Sequence, residues 1–171
     1  NVIDPYKEIA WLESFKYKEG EIEKSISRQT AIDYFRYFLL KEVPFGNDGD
    51  YSRDNLINRV NAELANNIGN LVQRSLTMIV KNCDSQIPDC EHLPSQDYSD
   101  ILSDINHLAF NHSLEKIIEL SNHANKYFND QAPWSLKKEG KVEQMNQVLF
   151  QTAENIRIIA LLLLPFITES A

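Results

Sequence analysis

Apolar positions along this chain recur in three- and four-residue steps far more than they alternate, so the pattern predicts helices. The longest such stretch is Tyr51 to Asn82, where Ile57, Val60, Leu64, Ile68, Leu71, Met78 and Ile79 form one stripe without an interrupting proline. It is expected to be a single long helix, with Ser52 as its N-cap because a hydroxyl there accepts from a first-turn backbone N–H. Upstream, Arg28 to Leu40 is a second helix, with Ile32, Phe35, Phe38 and Leu39 on its apolar side. Ile9 to Ser27 is charged and mixed, and Gly20 is expected to break it. Lys41 to Asp50 ends the helical pattern with a proline, two glycines and acidic or amide turn formers, Val43 and Phe45 fitting a short strand or an extended segment.

Beyond the long helix, Cys83 to Gln96 reads as a loop marked by Pro88 and Pro94. Tyr98 to Ala109 and His112 to Phe128 form two helices or one bent helix, with Ile101, Ile105 and Leu108 on one stripe and Leu114, Ile117, Ile118, Leu120 and Ala124 on the next; Asn111 is the expected cap of the second piece. Pro133 stops that helix and is expected to hold Ala132 extended. The last helix runs from about Lys141 to Leu164, with Val142, Met145, Leu149, Ile156, Ile159 and Leu163 as its core stripe. Its apolar end is expected to meet further protein, and the abrupt start at Asn1 suggests a piece of a longer chain. The run Ile156 to Leu164 is too short to cross a bilayer, which takes about 20 residues, and no signal peptide is visible.

With 171 residues, 43% of them hydrophobic, and only five glycines and six prolines, the chain can bury a sizeable core as a folded helical domain. Its net charge of −8, from 17 basic and 25 acidic side chains, argues against indiscriminate coating of nucleic acid, so any such binding is local and selective. Cys83 and Cys90, with Asp84, Asp89 and His92 nearby, match no compact zinc spacing, and two free thiols in a loop are expected. The acidic loop before Tyr51 lacks the ligand register of a helix–loop–helix calcium site. His107, His112 and His123 fall at no i, i+4 pair. The spacing supports no glycine-rich phosphate loop, metal-binding helix pair or nucleophilic triad, so no catalytic or metal-ligating residues are assigned.

Outside the apolar stripe, at about 100° per residue, Asn66, Asn70 and Arg74 step along one row of the long helix, with Arg59 just before it and Gly69 leaving room beside Asn70. Amides and guanidinium groups read base edges and phosphates; the same row also suits a merely solvated face. Trp134, on a stiff turn after Ala132-Pro133, is either a cap on the bundle core or a stacking platform for a base. Lys137 and Lys138 follow and are placed to meet phosphate.

Several stretches resemble the methionyl-tRNA synthetase family. They are Arg36-Tyr37-Phe38-Leu39-Leu40, Glu42 to Asp50 (Glu-Val-Pro-Phe-Gly-Asn-Asp-Gly-Asp), Asn66 with Gly69-Asn70-Leu71-Val72-Gln73-Arg74, Gln131-Ala132-Pro133-Trp134, and the ending Arg157 to Phe166. The opening Asn-Val-Ile-Asp-Pro resembles the residues just after that family's Lys-Met-Ser-Lys-Ser loop. The resemblance implies an all-α fold: the anticodon-binding helix bundle of class I aminoacyl-tRNA synthetases over residues 51–171, preceded by a short mixed stem-contact segment over 1–50.

It further implies that Trp134 stacks on the wobble cytosine of the methionine anticodon. Asn70 and Arg74 would bond anticodon bases or the adjoining backbone, helped by Asn66 and Pro133. The implied partners are methionine tRNA and the family's catalytic domain, which adenylates methionine with ATP and magnesium in the cytoplasm and lies upstream of these residues. No cofactor and no catalysis are expected of this stretch alone. Residues 10–30 are longer than the family's usual link and have no assigned role. The alternatives are the anticodon domain of another class I synthetase, against which Ala-Pro-Trp with Asn-x-x-x-Arg argues, or a helical protein-interaction module.

Overall fold

The computed structural model describes residues 3–44, 46, 47, 49, 51–90 and 97–171. Phe45, Asp48, Asp50, His92 and Pro94, which carry some of the loop expectations above, lie outside the described residues.

The helical class is as expected, with one small antiparallel hairpin near the start. Helix α1 (Pro5–Glu13) opens on Asp4, whose carboxylate accepts from the Tyr6 N–H at 3.1 Å, with Pro5 at the first helical position. Strands β1 (Lys16–Glu19) and β2 (Ile22–Ser25) follow, paired in the register Lys16 to Ser25 and Glu19 to Ile22. The turn between them uses Gly20 at a φ of 64°, a left-handed conformation that glycine adopts without a Cβ clash. The hairpin is largely exposed. Helix α2 (Arg28–Glu42) is capped by the Ser27 hydroxyl, which accepts from the Thr30 N–H. It buries Ala31, Phe35, Tyr37 and Phe38, whereas Leu39, expected on the apolar side, is exposed. Tyr37 takes that place, because its hydroxyl has a partner inside: it donates to Glu63 at 2.6 Å.

The long helical run departs from one uniform α-helix. Helix α3 (Arg53–Arg59), capped by Ser52 as expected, leads into a π-helical stretch (Val60–Gly69), and α-geometry resumes in α4 (Asn70–Asn82). A π-helix bonds each N–H to the carbonyl five residues back and is wider than an α-helix. The even 100° step assumed for Asn66, Asn70 and Arg74 therefore does not hold across Gly69. Along the apolar stripe Val60, Leu71 and Ile79 are buried, while Ile57, Leu64, Ile68 and Met78 are half-buried.

Helices α5 (Ser99–Asn106) and α6 (Phe110–Gln131) are separate, parted at Leu108 with a φ of 61°. The residue at the N-cap of α6 is Ala109, not Asn111, which lies inside the first turn. Helix α7 (Pro133–Lys138) follows after the single residue Ala132, and α8 (Val142–Leu163) closes the bundle. Val142, expected in the core stripe, is exposed, because the Gly140 turn leaves the first turn of α8 at the edge; burial begins at Met145.

Two hydrophobic clusters result. The larger packs Leu71, Leu114, Ile117, Phe128, Leu149 and Phe166 with their neighbours from α4, α6 and α8. The smaller joins Ile9, Leu12, Phe35, Phe38, Leu56 and Val60 from α1, α2, α3 and the start of the π-helical stretch. Helix α2 contributes to both, and Leu64 packs against both.

Candidate nucleic-acid interface

The end of α6 sets the geometry. Ala132 has φ 42° and ψ 63°, left-handed rather than extended as its place before proline suggested. The reason is topological: α7 begins one residue after α6 ends, and a left-handed residue reverses the chain where an extended one would need a longer connection. Its carbonyl then accepts the Ser135 N–H at 2.8 Å and starts the new helix. Pro133 occupies the first helical position, where its missing N–H costs nothing, and it is buried.

Trp134, next in the chain, is 38% exposed. Its indole stands edge-on to the buried Phe128 ring, with centroids 5.8 Å apart and planes at 67°. Arg74 reaches across from α4, its guanidinium carbon 5.1 Å from the Phe128 centroid and 5.7 Å from that of Trp134. One of its N–H groups donates to Asn129 Oδ1 at 2.6 Å. Cation–π contacts of this kind contribute about 0.5–1 kcal/mol at exposed sites. The indole is thus held by an aromatic edge, a cation and the fixed backbone of α7.

Gln73, Arg74, Thr77, Met78, Phe128 and Trp134 line an open depression of about 580 Å³. That lies within the roughly 300–1,000 Å³ of ligand-sized clefts. Arg74 supplies N–H donors, and Trp134 and Phe128 supply ring surface. Lys137 donates to Asn82 Oδ1 at the end of α4, and Lys138 is exposed.

Among the five residues singled out from sequence, Arg74 and Trp134 meet in this depression. Asn66 and Asn70 are exposed further back along the same helical run and are not part of its lining; the Asn70 amide donates to the Asn66 carbonyl at 3.0 Å. Pro133 shapes the backbone from within. Phe128 and Asn129 complete the site and were not expected there. Phe128 marks only the end of the helix expected from His112, and Asn129 stands 55 residues from the guanidinium it accepts from. Among the described residues, no group of three or more His, Cys, Asp or Glu side chains could hold a metal ion. Cys83 and Cys90 are free thiols, both raised above the ordinary range, chiefly by burial. No described helix is long and apolar enough to cross a membrane.

The family model for class I (M) tRNA synthetases matches residues 20–76. The methionine–tRNA ligase of Rhizobium meliloti (strain 1021) is 42% identical over 151 residues, covering 82% of this chain and 29% of that protein. That of Brucella suis biovar 1 (strain 1330) is 36% identical across 100% of this chain and 32% of its own length. The apo methionyl-tRNA synthetase of Mycobacterium tuberculosis superposes with a TM-score of 0.74 at 38% identity, covering 81% of this chain and 31% of that one. A second structure of that enzyme, in complex with methionyl-adenylate, gives a TM-score of 0.72. Fold and sequence together place the chain among the class I aminoacyl-tRNA synthetases. Within that class it belongs to the methionyl-tRNA synthetase family. The chain spans about a third of the length of the relatives it matches.

Proposed function

We propose that residues 51–171 recognise the anticodon loop of methionine tRNA, in a protein that joins methionine to that tRNA at the expense of ATP. The observation that carries this reading is the partly exposed Trp134 indole, braced by Phe128 and Arg74 beside an open depression. Unpaired loop bases can be splayed out and stacked on an aromatic face, while neighbouring donors choose among them. Trp134 takes the wobble cytosine. Arg74, Asn70 and Asn66 bond the following bases or their backbone, and Pro133 fixes the start of the helix that carries the indole. The chain's net charge of −8 is compatible, because the contact is a local patch.

Residues 1–50 form the stem-contact segment and the link to the catalytic domain. Support comes from the smaller hydrophobic cluster, which ties α1 and α2 to the first turns of the long helical run. Adenylation is assigned to the catalytic domain that the family resemblance implies, and this stretch alone is expected to charge no tRNA. The protein works in the cytoplasm, where its tRNA is.

The test is binding of a methionine anticodon stem-loop and of a variant changed at the wobble base. Stacking contributes ~1–3 kcal/mol per base by alanine substitution. Trp134→Ala is expected to weaken cognate binding by roughly 5- to 150-fold and to abolish the wobble preference. Full discrimination by the mutant would overturn the reading.

A further inference from the structure

The π-helical stretch Val60–Gly69 is held by an amide cluster that is separate from the Arg74–Trp134 depression. Asn67 sits inside that stretch, half-buried, one residue after Asn66 and three before Asn70. Its side-chain oxygen accepts from Ser121 Oγ at 2.8 Å and from Asn125 Nδ2 at 2.7 Å, both on α6. Its side-chain nitrogen donates to Asn122 Oδ1 at 2.9 Å, and its backbone carbonyl accepts from Asn125 Nδ2 at 3.3 Å. Asn125 Nδ2 also reaches the Ser121 carbonyl at 3.1 Å, so the cluster is cross-linked within α6 as well.

An ordinary helix has about 3.6 residues per turn, and the i→i+5 pattern takes more. Where one geometry gives way to the other decides how far Asn66 is rotated from Asn70 and Arg74. The switch falls at Gly69 to Asn70, where the Asn70 N–H points to the carbonyls of both Ala65 and Asn67. A Cβ on Gly69 would come within 3.3 Å of the Leu64 carbonyl, so this wide turn also favours the smallest residue at its end. Isolated helical segments return to the α-form unless something holds the wider one, and three side chains of α6 grip the centre of this one.

We propose that Asn67 is a positioning residue for anticodon reading: gripped by Ser121, Asn122 and Asn125, it fixes the wide turn that aims Asn66 and Asn70 along the row leading to Arg74. This rests on the function proposed above and extends it to a residue that touches no nucleotide. The work divides accordingly: Trp134 reads the wobble base from its own frame on α7, and the Asn67 clasp governs the two anticodon bases that follow.

The experiment measures stem-loop binding to the full-length protein, using RNAs changed at the wobble base or at either following base. Circular dichroism monitors folding. Asn67→Ala is expected to lower discrimination at the two following bases by at least about fivefold while leaving the wobble preference in place. Asn67→Asp, which keeps the acceptors for Ser121 and Asn125, is expected to restore most of it. If Asn67→Ala does not fold, Asn125→Ala tests the same clasp from the α6 side with the same expected result. Unchanged discrimination in a folded variant, or an equal loss at all three bases, would overturn the proposal. A Trp134→Ala protein that keeps its wobble preference would instead overturn the underlying anticodon reading, so the two failures are distinguishable.

Discussion

Ala132 stores strain where the candidate site needs rigidity. A left-handed alanine costs roughly 1–2 kcal/mol relative to its ordinary backbone, and the proline that follows narrows its alternatives further. The compensation is local: the reversal from α6 to α7 is made in one residue, and Pro133, Phe128 and the Ala132 carbonyl together fix the indole. Ala132→Gly relieves the strain but enlarges the unfolded ensemble, two effects of similar size and opposite sign. Its stability is expected to stay within about 1 kcal/mol of the parent. Ala132→Val places a branched Cβ in the left-handed region and is expected to cost at least about 1–2 kcal/mol. Urea unfolding midpoints of the two variants check both expectations, and equal midpoints would show that the φ of 42° carries no strain.

At the scale of elements, the docking of α1 on α3 turns on Glu8, which the opening stretch Asn1 to Glu8 gave no reason to single out. Its carboxylate accepts from Arg53 through Nε at 2.7 Å and Nη2 at 3.0 Å, and from the Tyr51 hydroxyl at 2.7 Å. Arg53 in turn lies 4.5 Å from the Trp11 ring centroid. The Arg53 hydrogen bonds hold the Glu8 carboxyl below its ordinary value of 4.5, burial opposes them, and Tyr51 adds to the lowering. A lowered folded-state value means the ionised form is favoured by folding. The resulting stability is fully present above pH 4.5 and is lost as pH falls from there through the lowered value. Glu8→Gln should therefore be less stable than the parent at neutral pH, with the gap closing as pH falls through that window; denaturation midpoints across the acid range measure it.

The elements that sequence periodicity did locate share one property: an uninterrupted apolar face, as on α2, α6 and α8. What it missed were changes of backbone geometry. The wide turn from Val60 to Gly69 leaves the spacing of apolar residues almost unaltered, and the left-handed Ala132 contradicts the local rule for residues before proline. The pairing of Arg74 with Trp134 was legible as two separate polar and aromatic signals. Their partners Phe128 and Asn129 were not, since one looks like core and the other like surface until α4 and α6 are packed together.

Over the whole molecule, the segment after α8 is fastened back onto α2. Asp33 is buried, and its carboxylate accepts the backbone N–H groups of Thr168 at 3.1 Å, Glu169 at 3.0 Å and Ser170 at 2.8 Å. Arg36, one turn along, donates to the Pro165 carbonyl at 3.1 Å. Among the described residues, α2 is the one helix that contributes buried residues to both hydrophobic clusters, so this clip ties the end of the bundle to the element that joins its two cores. Hydrogen bonds to a charged group contribute about 1.5–3 kcal/mol each in partly shielded surroundings, but the freed amides of exposed residues 168–170 regain water. Asp33→Ala is therefore expected to cost about 2–3 kcal/mol in all rather than the sum of three bonds. Asp33→Asn, which keeps one acceptor oxygen, should cost less. Amide exchange at Thr168, Glu169 and Ser170 should quicken in both. Neither Asp33 nor Arg36 bonds to Arg74, Phe128, Asn129 or Trp134, so stem-loop affinity at a temperature where the variants remain folded is expected to change by no more than about twofold. A large loss of affinity would mean instead that the clip sets the geometry of the bundle as far as the indole, and that stability and recognition are coupled through α2.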